Sequence, residues 1–220
     1  MLRAVVFDWD GVVVDSAAFH ERSWEILAAQ RGLPLPAGHF KRGFGKKNNV
    51  IIPDLGWAAE AADIDTLARE KEEIYRSLVR EHGITPLPGV RRLLAALQTA
   101  DIPCAIGSST ERANLDCLLD LMGLRDFFRV IVSGEEVVHG KPAPDIFRLA
   151  AGRLGCAPAD CVVIEDALVG IEAARSAGMP VLAVATTEPA DALSRADHIA
   201  PDLTAVDPAL LAALTDRQKS

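Results

Sequence analysis

Short, almost wholly apolar runs recur along this chain and alternate with longer amphipathic stretches. A run that is apolar at every position suits a strand covered on both faces, which is the condition of a parallel sheet. The runs are Ala4-Val5-Val6-Phe7, Cys104-Ala105-Ile106, Val130-Ile131-Val132, Cys161-Val162-Val163-Ile164 and Val181-Leu182-Ala183-Val184, with a weaker one at Asp197-His198-Ile199. Between the later runs lie helical patterns. Gly89 to Thr99 puts Val90, Leu93, Leu94 and Leu97 on one face, and Glu111 to Leu121 does the same with Leu115, Leu118 and Leu119. Asp145 to Leu154 and Leu168 to Ala177 follow. This alternation predicts an α/β fold, a doubly wound parallel sheet with helices on both faces.

One stretch breaks the pattern. Residues 16–85 hold no buried strand signal and are dominated by helical patterns at Ala18 to Gln30 and Ile64 to Glu81, with breaks at Gly32-Leu33-Pro34-Leu35-Pro36 and Ile52-Pro53. They read as a helical insert leaving at Pro86-Leu87-Pro88-Gly89, so that residues 1–15 and 86–220 form the core domain. Insertion at a loop tip disturbs a core little, and two linkers side by side would make a hinge. Half of the 220 residues are apolar, enough for a sizeable core. The formal charge of -8 argues against nonspecific binding to nucleic acid or an anionic membrane. No apolar run approaches the roughly 20 residues of a membrane span. The four cysteines show neither CxxC nor zinc spacing and read as reduced residues. With no signal peptide at the start, the expectation is a soluble cytoplasmic protein, a monomer or weak homo-oligomer.

In open parallel sheets, ligands bind beyond the carboxyl ends of the strands. Beyond the first run stands Asp8-Trp9-Asp10-Gly11; beyond the second, Gly107-Ser108-Ser109-Thr110. A short loop after the third leads to Gly140-Lys141-Pro142, and Glu165-Asp166 follow the fourth. Each residue type has a task in phosphoryl transfer. Asp8 can attack phosphorus and form an aspartyl phosphate. A carboxylate repels a phosphate dianion, so a cation must bridge them. Magnesium prefers hard oxygen ligands, and Asp8, Asp166 and the backbone carbonyl of Asp10 suit it, with Glu165 holding a metal-bound water. Lys141 can neutralise the transferring group. Ser108 can donate its hydroxyl to a phosphate oxygen, joined by the N–H of Ser109, ahead of a helix whose free N–H groups favour anions. Asp10 can protonate the leaving oxygen and then deprotonate the incoming nucleophile. Gly11 lets the backbone turn sharply. Each feature alone is commonplace: a solvated DxD, a helix cap, a surface Lys-Pro, acids complementing a helix dipole. Four in this order, each beyond or soon after a buried run, are not.

With these motifs the chain resembles the haloacid dehalogenase superfamily, in the branch of β-phosphoglucomutases and small-metabolite phosphatases. Phe7 to Ser16 is similar to its first motif, Ser108 to the second, Lys141 in Gly140-Lys141-Pro142-Ala143-Pro144-Asp145 to the third, and Ile164 to Ile171 to the fourth. The resemblance implies a Rossmann-like core, a helical cap after the first motif, an aspartyl-phosphate intermediate and Mg²⁺. Asp10 and the Glu165-Asp166 pair argue against dehalogenation, and Ser109 and Thr110 suit phosphate binding.

The cap bears on the substrate, a small phosphorylated metabolite. His20 resembles a mutase histidine tied to substrate binding and hints at a sugar phosphate; its alternative is a helix-surface or hinge-packing role. Lys71 resembles a mutase cap lysine, or else belongs to a solvated face in Arg69-Glu70-Lys71-Glu72-Glu73. The basic run Arg42-Gly43-Phe44-Gly45-Lys46-Lys47-Asn48-Asn49 resembles a specificity loop. Where mutases place an arginine, this chain offers Lys46 or Lys47, which bind phosphate without a bidentate fork. Trp24, Phe40, Phe44 and Trp57 either line a pocket or form cap core, with core favoured for Trp57. Water attacking the aspartyl phosphate gives a phosphatase, the reading adopted; a sugar hydroxyl gives a mutase, the alternative.

Overall fold

The computed structural model describes residues 1–43 and 47–217. The chain forms two compact units, Met1–Asp15 with Thr85–Ser220, and Ser16–Ile84.

The first unit is built on six parallel strands: β1 (Ala4–Phe7), β2 (Cys104–Gly107), β3 (Phe128–Val132), β4 (Cys161–Glu165), β5 (Val181–Val184) and β6 (His198–Ala200), in spatial order β3-β2-β1-β4-β5-β6. The weakest sequence run lies one residue later than its pattern indicated. The helices are α5 (Val90–Thr99), α6 (Arg112–Met122), α7 (Asp145–Leu154), α8 (Leu168–Ala177) and α9 (Pro208–Arg217). α1 to α4 belong to the second unit.

Alternation along each strand assigns its two faces. Ala4, Val6, Ala105, Val163, Val181 and Ala183 pack with Ile146, Phe147 and Ala150 of α7 and Ile171 and Ala174 of α8. Val5, Phe7, Ile106, Val162, Ile164 and Leu182 are equally buried on the other face. There α9 packs on β4 and α5 on α9. The inner strands β1, β2, β4 and β5 are therefore buried at every position because helices cover both sides, whereas the edge strand β3 carries the exposed Arg129. Phe147 alone, fully buried, contributes about 2–3 kcal/mol of transfer free energy. The order reverses at β1: the chain winds outward to β3 on one side, then returns to β4 on the other. The crevice between the tips of β1 and β4 is where this topology leaves room for a ligand.

The second unit is helical: α1 (Ala17–Arg31), α2 (His39–Gly43), α3 (Asn48–Asp54) and α4 (Ala61–His82). Trp24, Leu27, Ala28, Ile52 and Trp57 form its core, and the two indoles meet edge to face at 5.5 Å. The Trp57 indole N–H donates to the Pro34 carbonyl at 2.7 Å. Both tryptophans are thus core, with Phe40 packed against them. The expected break at Ile52-Pro53 is corrected: Pro53 lies inside α3, near its end. A proline so near the end of a short helix costs one N–H bond and leaves the preceding turn intact. Phe44 and Lys46 lie outside the described residues. Among the described residues no helix is long and apolar enough to cross a membrane.

Candidate active site

The site begins where β1 ends. The Asp8 N–H still donates to the Ile164 carbonyl of β4 at 2.9 Å, so sheet pairing carries this residue to the switch point. The chain then turns. Gly11 has φ +80°, a left-handed conformation that favours glycine. A Cβ there would sit 1.9 Å from Asp166 Oδ2, so the turn lies directly against the acid from β4.

Asp8, Glu165 and Asp166 are all buried, and an oxygen from each lies within 4.8 Å of the others. Lys141, in the loop that leads from β3 to α7, enters among them. Its Nζ donates to Asp8 Oδ1 at 2.6 Å and Glu165 Oε1 at 2.7 Å, and stands 4.8 Å from the Phe147 ring centroid. Glu165 Oε2 accepts from the backbone N–H groups of Asp166 and Ala167, each at 2.7 Å. Glu165, the expected holder of a metal-bound water, is thus anchored by Lys141 and by the N–H groups that follow it.

Charge dominates this pocket. Burial, reinforced by the charge of Glu165 and also Asp10, pushes the Asp8 carboxyl above its ordinary range; Lys141 pulls the other way by less. Burial, Glu165 and Asp8 likewise push Asp166 up, against a hydrogen bond from Thr187 and the pull of Lys141. Burial disfavours the Lys141 ammonium, yet Asp8 and Glu165 outweigh it and hold Lys141 above its usual range. Three clustered carboxylates face one ammonium, so a compact cation with hard oxygen ligands would relieve the excess negative charge. The donor set therefore fits a divalent ion.

Asp10 is placed differently. Its Oδ2 accepts from the Thr110 hydroxyl at 2.5 Å, beyond β2. Ser108 is buried, its Oγ accepting from the Thr110 N–H at 3.1 Å, whereas Ser109 is exposed. As expected, a helix follows these hydroxyls: α6 starts at Arg112 with Glu111 as its N-cap, and the Arg112 N–H donates to Glu135 Oε2 at 2.7 Å.

Within the helical unit, His20 and Lys71 meet: Lys71 Nζ and His20 Nδ1 are 2.7 Å apart, and the imidazole stacks on Tyr75 at 4.0 Å. Lys71 is only 2% exposed, which corrects the solvated-face alternative. Glu72 and Asn48 join this group.

Sequence reasoning missed the loop after β5. The Thr186 hydroxyl donates to the Gly11 carbonyl at 2.5 Å and Thr187 bonds Asp166. Both lie just beyond the fifth apolar run, the position at which the other strand tips carry their polar residues. It also missed Gly170, where a Cβ would lie 1.6 Å from Glu165 Oε1.

A doubly wound sheet that gathers three acids and a lysine at its switch point defines an α/β enzyme with an acid-rich, cation-accepting centre. The chain belongs to the haloacid dehalogenase-like hydrolases, whose family model matches residues 2–178. It is 36% identical over 182 residues to fructose-1-phosphate phosphatase YqaB of Escherichia coli, covering 82% of this chain and 95% of that one. It is 34% identical to the β-phosphoglucomutase of Bacillus subtilis, covering 86% and 85% of the two chains. Among solved structures, a mutant CbbY from Rhodobacter sphaeroides in complex with xylulose-1,5-bisphosphate superposes with a TM-score of 0.87 at 25% identity, covering 96% of this chain and 99% of that one.

Proposed function

We propose that this chain is a Mg²⁺-dependent phosphatase that hydrolyses a small sugar phosphate through an aspartyl phosphate on Asp8. The observation that carries the reading is the Lys141 ammonium between Asp8 and Glu165, beside Asp166, at the crevice of the sheet. Asp8 attacks phosphorus; an Asp8–phosphorus bond forms as the bond to the sugar oxygen breaks, and Asp10 gives that oxygen its proton. Asp10 then takes a proton from water, whose oxygen displaces Asp8 and releases inorganic phosphate. Lys141 and the Ser108 hydroxyl hold the phosphoryl oxygens, with the Ser109 N–H. Glu165 orients Lys141. Asp8, Asp166 and the Asp10 carbonyl would hold Mg²⁺, which supplies the positive charge that lets a carboxylate approach a phosphate dianion.

The helical unit, residues 16–85, acts as the cap that reads the organic part of the substrate, using His20 and the basic segment with Lys46. The similarity to a fructose-1-phosphate phosphatase supports a sugar ester, and the enzyme would act in the cytoplasm. Asp8→Asn is expected to abolish phosphate release from sugar phosphates while leaving the circular dichroism spectrum unchanged. Release at the wild-type rate excludes the mechanism.

The similarity to a β-phosphoglucomutase favours a second reading, mutation through the same intermediate. Incubation with β-glucose 1-phosphate and a bisphosphate activator separates the two: isomerised sugar without stoichiometric phosphate supports the mutase.

A further inference from the structure

The loop that follows β5 has no part in the reaction as proposed, yet it closes on the acid centre. β5 pairs with β4, and β4 with β1. A contact from this loop to the turn after β1 must therefore pass the tip of β4, which Asp166 directly follows. Thr186 makes that contact: its hydroxyl donates to the Gly11 carbonyl at 2.5 Å. The Gly11 N–H is held as well, donating to the Val14 carbonyl at 2.8 Å. With both ends of Gly11 bonded, the turn after Asp10 is fixed. Thr187 then lies beside Asp166. A Cβ on Gly11 would fall 1.9 Å from Asp166 Oδ2 and 2.7 Å from Thr187 Oγ1, so both side chains occupy the space that glycine leaves open. The Thr187 hydroxyl donates to the Asp166 carboxylate. All of these residues belong to the sheet unit.

Asp166 is buried with Asp8 and Glu165, so its carboxylate takes its orientation against the repulsion of two neighbouring acids. A hydroxyl bond supplies what that orientation needs. An ionised carboxylate accepts at about four lone-pair sites, so one bond from a hydroxyl leaves oxygen available to an ion. Groups that hydrogen-bond a ligating carboxylate fix its direction, and a bond to the charged form keeps it charged. Thr187 is itself exposed, so it contributes little packing, and its hydroxyl is the part that bears on the site. We infer that Thr187 is a positioning residue for the divalent-ion centre: it holds the Asp166 carboxylate ready for the cation, and Thr186 anchors the loop that delivers it. The inference rests on the proposed Mg²⁺ dependence and on Asp166 as a ligand.

The test reads Mg²⁺ binding without substrate or turnover. Urea-unfolding midpoints are measured from EDTA upward through a series of Mg²⁺ concentrations, and their rise gives a dissociation constant. Thr187→Val removes the hydroxyl and keeps the branched shape. Its Mg²⁺ dissociation constant is expected to be about tenfold weaker than that of the wild type, whereas Thr187→Ser, which keeps a hydroxyl, should stay within about twofold. A merely structural role would lower the midpoint in EDTA and leave the dissociation constant unchanged, which overturns the inference. Equal weakening in Thr187→Val and Thr187→Ser overturns it too, because the hydroxyl is then not the group that acts. If Thr187→Val does not fold, Thr187→Ala, which also lacks the hydroxyl, is read in its place: weaker binding supports the inference and wild-type binding overturns it. Mg²⁺ stabilisation of the wild type that the hydroxyl-free variant matches overturns this inference alone. If Mg²⁺ shifts no midpoint, that of the wild type included, the inference falls together with the proposed Mg²⁺ dependence.

Discussion

Replacing Gly170 by alanine tests the electrostatic centre with a change that ordinarily stabilises. Gly170 lies within α8, where alanine is favoured over glycine by about 1 kcal/mol. Here the added Cβ would fall 1.6 Å from Glu165 Oε1 and 1.9 Å from its Cδ. The carboxylate cannot yield cheaply. It is 1% exposed and holds Lys141 and the N–H groups of Asp166 and Ala167, all at 2.7 Å. Displacing it gives up charge-assisted bonds of about 1.5–3 kcal/mol each and leaves Lys141 and Asp8 imperfectly paired. Disrupting a buried ion pair costs about 3–5 kcal/mol. Set against the helical gain, the net expectation is a loss of about 3 kcal/mol, read by urea unfolding in the presence of a chelator. Turnover should fall as well, because Lys141 loses one of its two carboxylate anchors. A Gly170→Ala protein that equals or exceeds the wild type in stability, with full turnover, would refute the view that Glu165 is pinned.

Two further outcomes follow from the same geometry. Burial raises the Glu72 pKa, but Lys71, with His20 and Asn48, overcomes this and holds the carboxyl at about 2, below its ordinary 4.5. The folded pKa is depressed, so the stabilisation is present above about pH 4.5 and is lost as pH falls toward 2. The difference corresponds to about 3 kcal/mol. Urea unfolding at pH 5 and pH 2.5 should show most of the wild-type advantage over Glu72→Gln disappearing; a difference independent of pH contradicts the assignment. Thr110→Val removes the hydroxyl held 2.5 Å from Asp10. If Asp10 handles protons, kcat should fall at least about tenfold with KM nearly unchanged, and Thr110→Ser should restore it. A proportional rise in KM instead assigns Thr110 to substrate binding.

What could be read from the sequence follows from the range over which each residue acts. The strands were legible because burial on both faces makes Ala4 to Phe7 or Cys161 to Ile164 apolar at every position. The gathering of Asp8, Glu165, Asp166 and Lys141 was legible because each lies beyond such a run and the topology brings the strand tips together. The illegible features depend on partners distant in sequence. Thr110 looked like one more phosphate-binding hydroxyl, but its partner Asp10 is 100 residues away. Gly170 looks like an unremarkable helical glycine until the Glu165 carboxylate is placed beneath it. Lys71 is the sharpest case. Arg69-Glu70-Lys71-Glu72-Glu73 is a charge run, and such a run normally marks a solvated helix face. Two of its members are buried because helices α1 and α3 bring His20 and Asn48 against them. Along the chain Lys71 resembles a mutase cap lysine or one member of a solvated face. Placed in space, its ammonium lies buried against Glu72 and His20 inside the helical unit, an arrangement that no pattern along α4 alone could show.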